Sequence, residues 1–137
     1  MNYAVIDLGY GDSGKGISTS FLCERIIQES DKIPLVVRSN GGHQAGHTVV
    51  YNGKRHVFSQ FGSGSLQGCP TYISRFCTIY PPSLLREYDY IKDCEPVLYI
   101  DPMAMITTPF DIDYNRGRES LLKHGSVGMG FGQTIQR

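Results

Sequence analysis

The stretch Gly9-Tyr10-Gly11-Asp12-Ser13-Gly14-Lys15-Gly16 decides the fold, because this first glycine loop lies between two segments of regular pattern. Residues 3–8 before it are short and mostly apolar, which predicts a buried strand. Residues 34–38 form a second apolar run and predict another strand. Between the loop and this run, apolar residues at helical spacing predict a helix to about Gln28: Ile17, Phe21, Leu22 and Ile26. The sequence thus predicts a strand–loop–helix–strand unit of a parallel sheet.

Further strands are predicted along the chain. The Asn52-Gly53 pair within residues 48–58 predicts a β-hairpin, because this pair suits a type I′ turn. Residues 72–79 are expected to be extended, and residues 97–100 are expected to form a strand. The fold class indicated by this pattern is α/β.

Two more helices are predicted, and the chain then ends on a glycine loop. One helix follows Pro81-Pro82, with Ser83 as its candidate cap, and the other covers residues 111–123. The third glycine loop, residues 125–132, is followed only by residues 133–137. A domain rarely stops in this way, so we expect the chain to be the N-terminal part of something longer.

The composition excludes several function classes. A chain of 137 residues has room for one domain, and 40% hydrophobic with 19% charged residues excludes disorder. Thirteen basic against thirteen acidic residues disfavour a nucleic-acid or membrane surface, and no segment is long and apolar enough for a membrane span. The N-terminus does not resemble a signal peptide. The four cysteines form no Cys-x-x-Cys pair, so we expect no zinc site and reduced thiols in a cytoplasm.

The first glycine loop matches two phosphate-binding motifs. Gly9-x-Gly11-x-x-Gly14 is the dinucleotide fingerprint, but Arg38-Ser39-Asn40 stands where an acidic residue would hold the ribose of NAD. The loop also matches the phosphate-loop pattern, with Lys15 in place and Gly16 where Ser or Thr is usual. Both motifs aim backbone N–H groups at an anion. Asp12 among phosphates would be repulsive unless it holds a metal ion or acts as a base, and the alternative is a plain turn.

The second glycine loop follows the second predicted strand directly and reads Asn40-Gly41-Gly42-His43-Gln44-Ala45-Gly46-His47-Thr48. Loops at the carboxyl ends of neighbouring parallel strands face one crevice, so we expect this loop to approach the first. His47, between a glycine and a hydroxyl residue, is the better candidate for donating a proton or hydrogen bond to phosphate. His56 and His124 are interpreted as structural or solvated.

The two loops together resemble the paired signature of the adenylosuccinate synthetases. Residues 61–65 and the third glycine loop fit the same family more loosely. The resemblance implies a phosphate-loop-NTPase-like, mostly parallel sheet with flanking helices, and residues 1–137 would be a single N-terminal GTP/IMP-binding portion of such a domain. It also implies a homodimeric, GTP-dependent ligase that joins aspartate to the 6-position of IMP through a 6-phosphoryl intermediate.

The resemblance also assigns site residues. Asp12 would be the catalytic base and a Mg²⁺ ligand, His47 the acid that assists phosphoryl transfer, and the Gly46 carbonyl a second Mg²⁺ ligand. The GTP phosphates would be lined by Gly11, Asp12, Ser13, Gly14, Lys15, Gly16, Ile17, Gly46, His47 and Thr48. IMP would be bordered by Asp12, Ser13, Gly14, Lys15, Gln44, Ala45, Gly46, His47, Ser126 and Val127.

The sequence departs from the family pattern at several of these positions. Ser13 replaces Glu, Gln44 replaces Asn, Val127 replaces a Thr that contacts the IMP phosphate, and Met129 replaces Arg. Three alternatives therefore stay open. One is a phage-type relative acting on a diaminopurine or guanine-type monophosphate. Another is a nucleotide-binding remnant without catalysis. The last is an NADP-type domain that uses Arg38.

Overall fold

A computed structural model describes residues 1–123 and 125–137 as a mixed α/β structure. The helices are α1 (Lys15–Ser30), α2 (Pro81–Ile91), α3 (Pro109–Leu122) and α4 (Phe131–Gln136). The strands are β1 (Val36–Arg38), β2 (His47–Tyr51), β3 (Lys54–Phe58), β4 (Thr71–Ile73), β5 (Thr78–Ile79), β6 (Leu98–Ile100) and β7 (Met105–Ile106). Within the described residues, no helix has the length and apolar character needed to cross a membrane.

The strands pair mostly in parallel. The main sheet has the order β1-β4-β6, and its parallel register joins Val36 to Thr71 and Thr71 to Leu98. Strands β5 and β7 form a second parallel pair, while β2 and β3 form the antiparallel hairpin. This arrangement confirms the predicted α/β class, the parallel sheet and the hairpin.

The hairpin and α1 show local sequence rules at work. Asn52 and Gly53 have φ of 48° and 75°, as a type I′ turn requires. Helix α1 begins directly at Lys15 and packs through Cys23 against Val36 and Cys69. A second apolar cluster, centred on the hairpin and α2, contains Val49, Phe58, Phe61, Leu66 and Ile91.

The predicted strand over residues 3–8 is wrong. These residues belong to no strand, and the Ile6 and Leu8 side chains are 73% and 97% exposed. An apolar run becomes a strand only beside a hydrogen-bonded neighbour, and no strand of the described residues pairs with this segment. The strand–loop–helix–strand unit is therefore present only from the loop onward.

Three other predictions need correction. Ser83 is not the cap of α2, because Tyr80 precedes a helix whose first two positions are prolines, a placement that their fixed φ favours. Residues 72–79 are not continuously extended, since a turn in which Cys77 N–H donates to Ser74 O separates β4 from β5. The third glycine loop ends earlier than predicted, because Phe131 and Gly132 belong to α4, whose Thr134 is fully buried.

Candidate functional site

The first glycine loop passes through left-handed backbone conformations just before α1. Gly11, Asp12 and Gly14 have φ of 105°, 54° and 75°. The left-handed backbone conformation costs a non-glycine residue roughly 1 kcal/mol. The surrounding structure must therefore hold Asp12 in this conformation. Gly14 precedes α1 and no side chain caps this 16-residue helix, which leaves its first-turn N–H groups available to an anion.

Lys15 is paired with a carboxylate that the sequence analysis missed. Its Nζ donates to Asp7 Oδ2 at 2.7 Å, and Gly9 N–H donates to Asp7 Oδ1 at 2.8 Å. The hydrogen bond from Lys15 and that from Gly9 lower the pKa of Asp7 to about 2. A carboxylate at the end of an apolar run is the signal that could have identified Asp7.

The first and second glycine loops meet at Gly16 and His47. A Cβ on Gly16 would lie 2.6 Å from His47 Cβ, closer than real Cβ atoms approach. The glycine that replaces the usual Ser or Thr of a phosphate loop is therefore required by packing. This contact confirms that the second glycine loop approaches the first.

The surroundings of His47 favour its neutral imidazole form. It is the first residue of β2, where it pairs with Phe58, and it is half-buried. Burial lowers the pKa of His47, the charges of Arg38 and Lys15 lower it further, and Glu87 acts in the opposite direction. A neutral imidazole carries one N–H, so His47 can donate a hydrogen bond to a phosphate oxygen.

The middle of the second loop is packed inward. His43 is only 5% exposed, and its ring centroid lies 4.7 Å from that of Tyr80 with the two rings tilted by 35°. Neither ring nitrogen of His43 has a hydrogen-bond partner among the described residues. Burial lowers the pKa of His43, and Arg86 lowers it further. The Gln44 Oε1 atom lies 2.9 Å from the Cβ position of Gly42. Gln44 thus directs this oxygen into the protein rather than into the crevice.

The third glycine loop is tied to α3. Asn115 Nδ2 donates to Ser126 Oγ at 3.0 Å, so the hydroxyl predicted to bind the IMP phosphate already has a partner. Val127 is 76% exposed. The helix that follows the loop reaches the second loop, because Phe131 Cδ2 lies 3.2 Å from the Cβ position of Gly42. The second glycine loop therefore contacts α1, which follows the first loop, and α4, which follows the third.

The family model that describes adenylosuccinate synthetase matches residues 4–137. The chain belongs to the adenylosuccinate synthetase family. Adenylosuccinate synthetase of Borrelia turicatae is 36% identical over 135 residues, which cover 95% of this chain and 30% of that protein. Adenylosuccinate synthetase 1 of Photorhabdus laumondii is 36% identical over 141 residues, with 99% and 32% covered. The chain thus spans about a third of the length of these relatives.

Two solved structures share the fold of this synthetase-family chain. The fully ligated adenylosuccinate synthetase from Plasmodium falciparum superposes with a TM-score of 0.77 at 25% identity, over 93% of this chain and 30% of that one. A cyanophage S-2L succinoaminodeoxyadenylate synthetase, bound to dGMP and dATP as an energy donor, gives 0.72 at 24% identity, over 93% and 35%. Both support the parallel α/β fold.

A buried carboxylate of this family member holds the segment that follows β3. Glu87 on α2 accepts the backbone N–H groups of Ser59, Gln60 and Phe61 at 2.8–3.1 Å and the Ser59 hydroxyl at 2.6 Å. Burial alone would raise the pKa of Glu87, but hydrogen bonds from His56, Ser59 and the 60–61 backbone outweigh it and lower the pKa. Glu87 lies on the apolar face of α2, three residues after Leu84. A carboxylate at such a position is the sequence feature that could have identified it.

Arg38 fixes the same segment from the other side. Its Nη1 donates to the carbonyls of Ser59 and Phe61 at 2.9 and 3.2 Å. The guanidinium is thus directed inward, and the NADP-type interpretation, which required Arg38 at a ribose phosphate, is wrong for a chain of this family. His56 stacks on Tyr90 and lies 3.6 Å from Glu87, so it is structural as predicted. His124 lies outside the described residues.

The donor atoms near Gly16 suit a hard cation. Across residues 1–123 and 125–137, no three His, Cys, Asp or Glu side chains converge as a metal cluster. Mg²⁺ is usually held by one or two carboxylates together with water and substrate phosphates, so it needs no such cluster. Asp12 is exposed in the first loop and Gly46 is exposed beside His47. A carboxylate and a carbonyl are oxygen ligands of the type that Mg²⁺ prefers.

Proposed function

We propose that the chain supplies the phosphate-binding and proton-transfer part of an enzyme that ligates aspartate to the 6-position of IMP with GTP as the energy source. The Gly16–His47 contact carries this proposal, because it joins a phosphate loop containing Asp12 to a neutral histidine. Family membership supports the same reaction. Because the chain spans about a third of its relatives, the complete activity is proposed for the protein that carries it.

Asp12 and His47 have complementary roles in this reaction. Asp12 takes the proton from the purine ring, and the 6-oxygen then attacks the γ-phosphorus of GTP, releasing GDP and forming a 6-phosphoryl purine. His47 donates its N–H to the transferring phosphoryl group, and Lys15 exchanges Asp7 for a phosphate oxygen. The amine of aspartate then displaces phosphate at the 6-position.

Asp12 and the Gly46 carbonyl would hold Mg²⁺ at this site. The ion would neutralise part of the phosphate charge during transfer.

The resemblance to the family supports a homodimer. Four free thiols, at Cys23, Cys69, Cys77 and Cys94, are in keeping with a reducing cytoplasm.

A second candidate substrate is a guanine-type or diaminopurine monophosphate. This alternative stays open because the chain departs from the family at Val127, which is exposed and offers no hydroxyl where the family has a phosphate-binding Thr. The cyanophage structure with bound dGMP and dATP is compatible with it. The presence of Asp12 supports the IMP reaction with its standard base.

Product analysis tests the proposal. The protein that carries this chain is incubated with GTP, Mg²⁺, aspartate and either IMP or dGMP, and the nucleotides are separated and identified by mass spectrometry. An aspartate adduct of IMP together with GDP and phosphate supports the main proposal, whereas an adduct of dGMP alone supports the second substrate. Saturable binding of GTP without any adduct supports the nucleotide-binding remnant. If the protein neither binds GTP nor forms an adduct, the result contradicts the main proposal, the second substrate and the nucleotide-binding remnant alike.

A further inference from the structure

We propose that Asn115 is a positioning residue that fixes the third glycine loop in the shape that receives the substrate monophosphate. This inference rests on the proposed function, because it assumes that residues 125–130 face that phosphate. The proposal concerns a side chain on α3 that is not among the predicted ligand residues.

The Asn115 amide is buried against the loop and contacts two of its residues. Its side chain Nδ2 donates to Ser126 Oγ at 3.0 Å, and its Oδ1 accepts Gly130 N–H at 3.0 Å. Ser126 Oγ in turn accepts Gly128 N–H at 3.2 Å. Asn115 is only 9% exposed. One amide therefore organises three positions of the loop, directly at two and through Ser126 at the third.

A neighbouring side chain completes the attachment. Arg116 Nε donates to Gly128 O at 3.1 Å, and a Cβ on Gly130 would lie 2.8 Å from Ile112 N. Gly128 and Gly130 have φ of 69° and 77°. Glycines in this region leave an unanchored loop free to adopt many conformations. The contacts with α3 restrict that freedom before any ligand binds.

The inward hydrogen bonds determine which groups the loop offers to a ligand. The Ser126 hydroxyl and the Gly130 N–H group bond to Asn115 of α3, and the Gly128 N–H group donates to Ser126 Oγ. In the described parts of the chain, the N–H groups of Val127 and Met129 donate to no protein group. We infer that these backbone N–H groups bind the monophosphate and that Asn115 holds them in place. Such preorganisation increases affinity without any contact between Asn115 and the ligand.

The test compares three variants of the chain by calorimetric titration. Asn115→Leu removes every hydrogen bond to Ser126 and Gly130, whereas Asn115→Asp keeps an acceptor for the Ser126 hydroxyl and for Gly130 N–H. Ser120→Ala is the matched control on α3. The Ser120 hydroxyl contacts only Gly117 O within the described structure. Each variant is titrated with GTP–Mg²⁺, and then with IMP and dGMP in its presence, and its melting temperature is recorded.

We expect Asn115→Leu to bind the monophosphate at least tenfold more weakly, with a GTP–Mg²⁺ dissociation constant within twofold of the parent. Asn115→Asp should recover part of the lost affinity, and Ser120→Ala should bind as the parent does. Unchanged monophosphate affinity in Asn115→Leu would overturn the inference, and so would an equal loss of both ligands with a lower melting temperature. A parent chain that binds GTP–Mg²⁺ but neither monophosphate would instead contradict the proposed function at this loop.

Discussion

Lys15 Nζ lies 2.7 Å from Asp7 Oδ2, so the cation of the first glycine loop is already paired with a carboxylate of the same chain. The pair lies at the start of α1, where the helix terminus also attracts anions. A nucleotide phosphate that binds here must compete with Asp7 for Lys15.

This competition predicts opposite effects for two variants. Lys15→Ala should weaken GTP–Mg²⁺ binding by about one to two orders of magnitude, because a charge-assisted contact of roughly 1.5–3 kcal/mol is lost. Asp7→Asn should tighten binding several-fold, because it removes the competing charge. Calorimetry measures both. Weaker binding by Asp7→Asn would show that Asp7 positions Lys15 rather than competing for it.

Gly16 should not tolerate a side chain. Gly16→Ala places a Cβ 2.6 Å from His47 Cβ, and overpacking of this kind costs about 1–3 kcal/mol. We expect a lower free energy of unfolding in urea and weaker GTP–Mg²⁺ binding. Gly117→Ala on α3 is the matched control, because its Cβ would meet nothing within 4 Å. Equal stability of the two variants would mean that the loops do not meet as described.

Asp12 and His47 should affect turnover differently from binding. Asp12→Asn should abolish adduct formation, since an amide cannot take the ring proton. His47→Asn should lower kcat by several orders of magnitude while the GTP–Mg²⁺ dissociation constant changes little. Steady-state kinetics and calorimetry in the protein that carries this chain separate the two effects. Either variant retaining the parental kcat would refute the role assigned to that residue.

Val127→Thr tests the substrate monophosphate. If IMP is the substrate, the new hydroxyl should tighten its binding about two- to tenfold, because a net hydrogen bond contributes ~0.5–1.5 kcal/mol. The exchange keeps the β-branched shape, so the loop backbone should stay in place. An unchanged or weakened IMP affinity would show that this loop does not contact the phosphate as in the family.

Glu87 should make stability depend on pH. Its pKa is lower in the folded chain than the ordinary 4.5, so its contribution is present above that pH and is lost as the pH falls below it. Glu87→Gln leaves buried N–H groups imperfectly paired and should cost about 1–3 kcal/mol at pH 7. Urea denaturation of both chains between pH 3 and 7 checks this, and a difference that grows toward low pH would contradict it.

Local sequence rules were sufficient for α1 and for the hairpin, because each depends on residues close together in the chain. The strand expected over residues 3–8 failed because strand formation depends on a distant partner. Helix α4 was missed because its six residues include Gly132 and show no clear apolar face; its anchor is the Thr134 hydroxyl bonded to Thr107.

The candidate site likewise contains residues that local motifs predict and residues that depend on distant parts of the chain. Asp12, Lys15 and His47 could be predicted because they lie within the two glycine loops themselves. The supporting side chains Glu87 and Asn115 lie on helices, and no loop motif includes them. Glu87 is 26–28 residues and Asn115 11–15 residues away in sequence from the groups that they contact. Gln44 was expected in the crevice, but its Oε1 packs against Gly42, a choice set by tertiary packing.

The central claim is that the first and second glycine loops form one phosphate site, and amide NMR during a GTP–Mg²⁺ titration tests it most directly. We predict that the amide signals of residues 11–16 and of His47 shift together and saturate with one dissociation constant. In Lys15→Ala the same signals should saturate only at GTP–Mg²⁺ concentrations about one to two orders of magnitude higher. Saturable shifts confined to other parts of the chain, or no shifts in the parent, would contradict the claim.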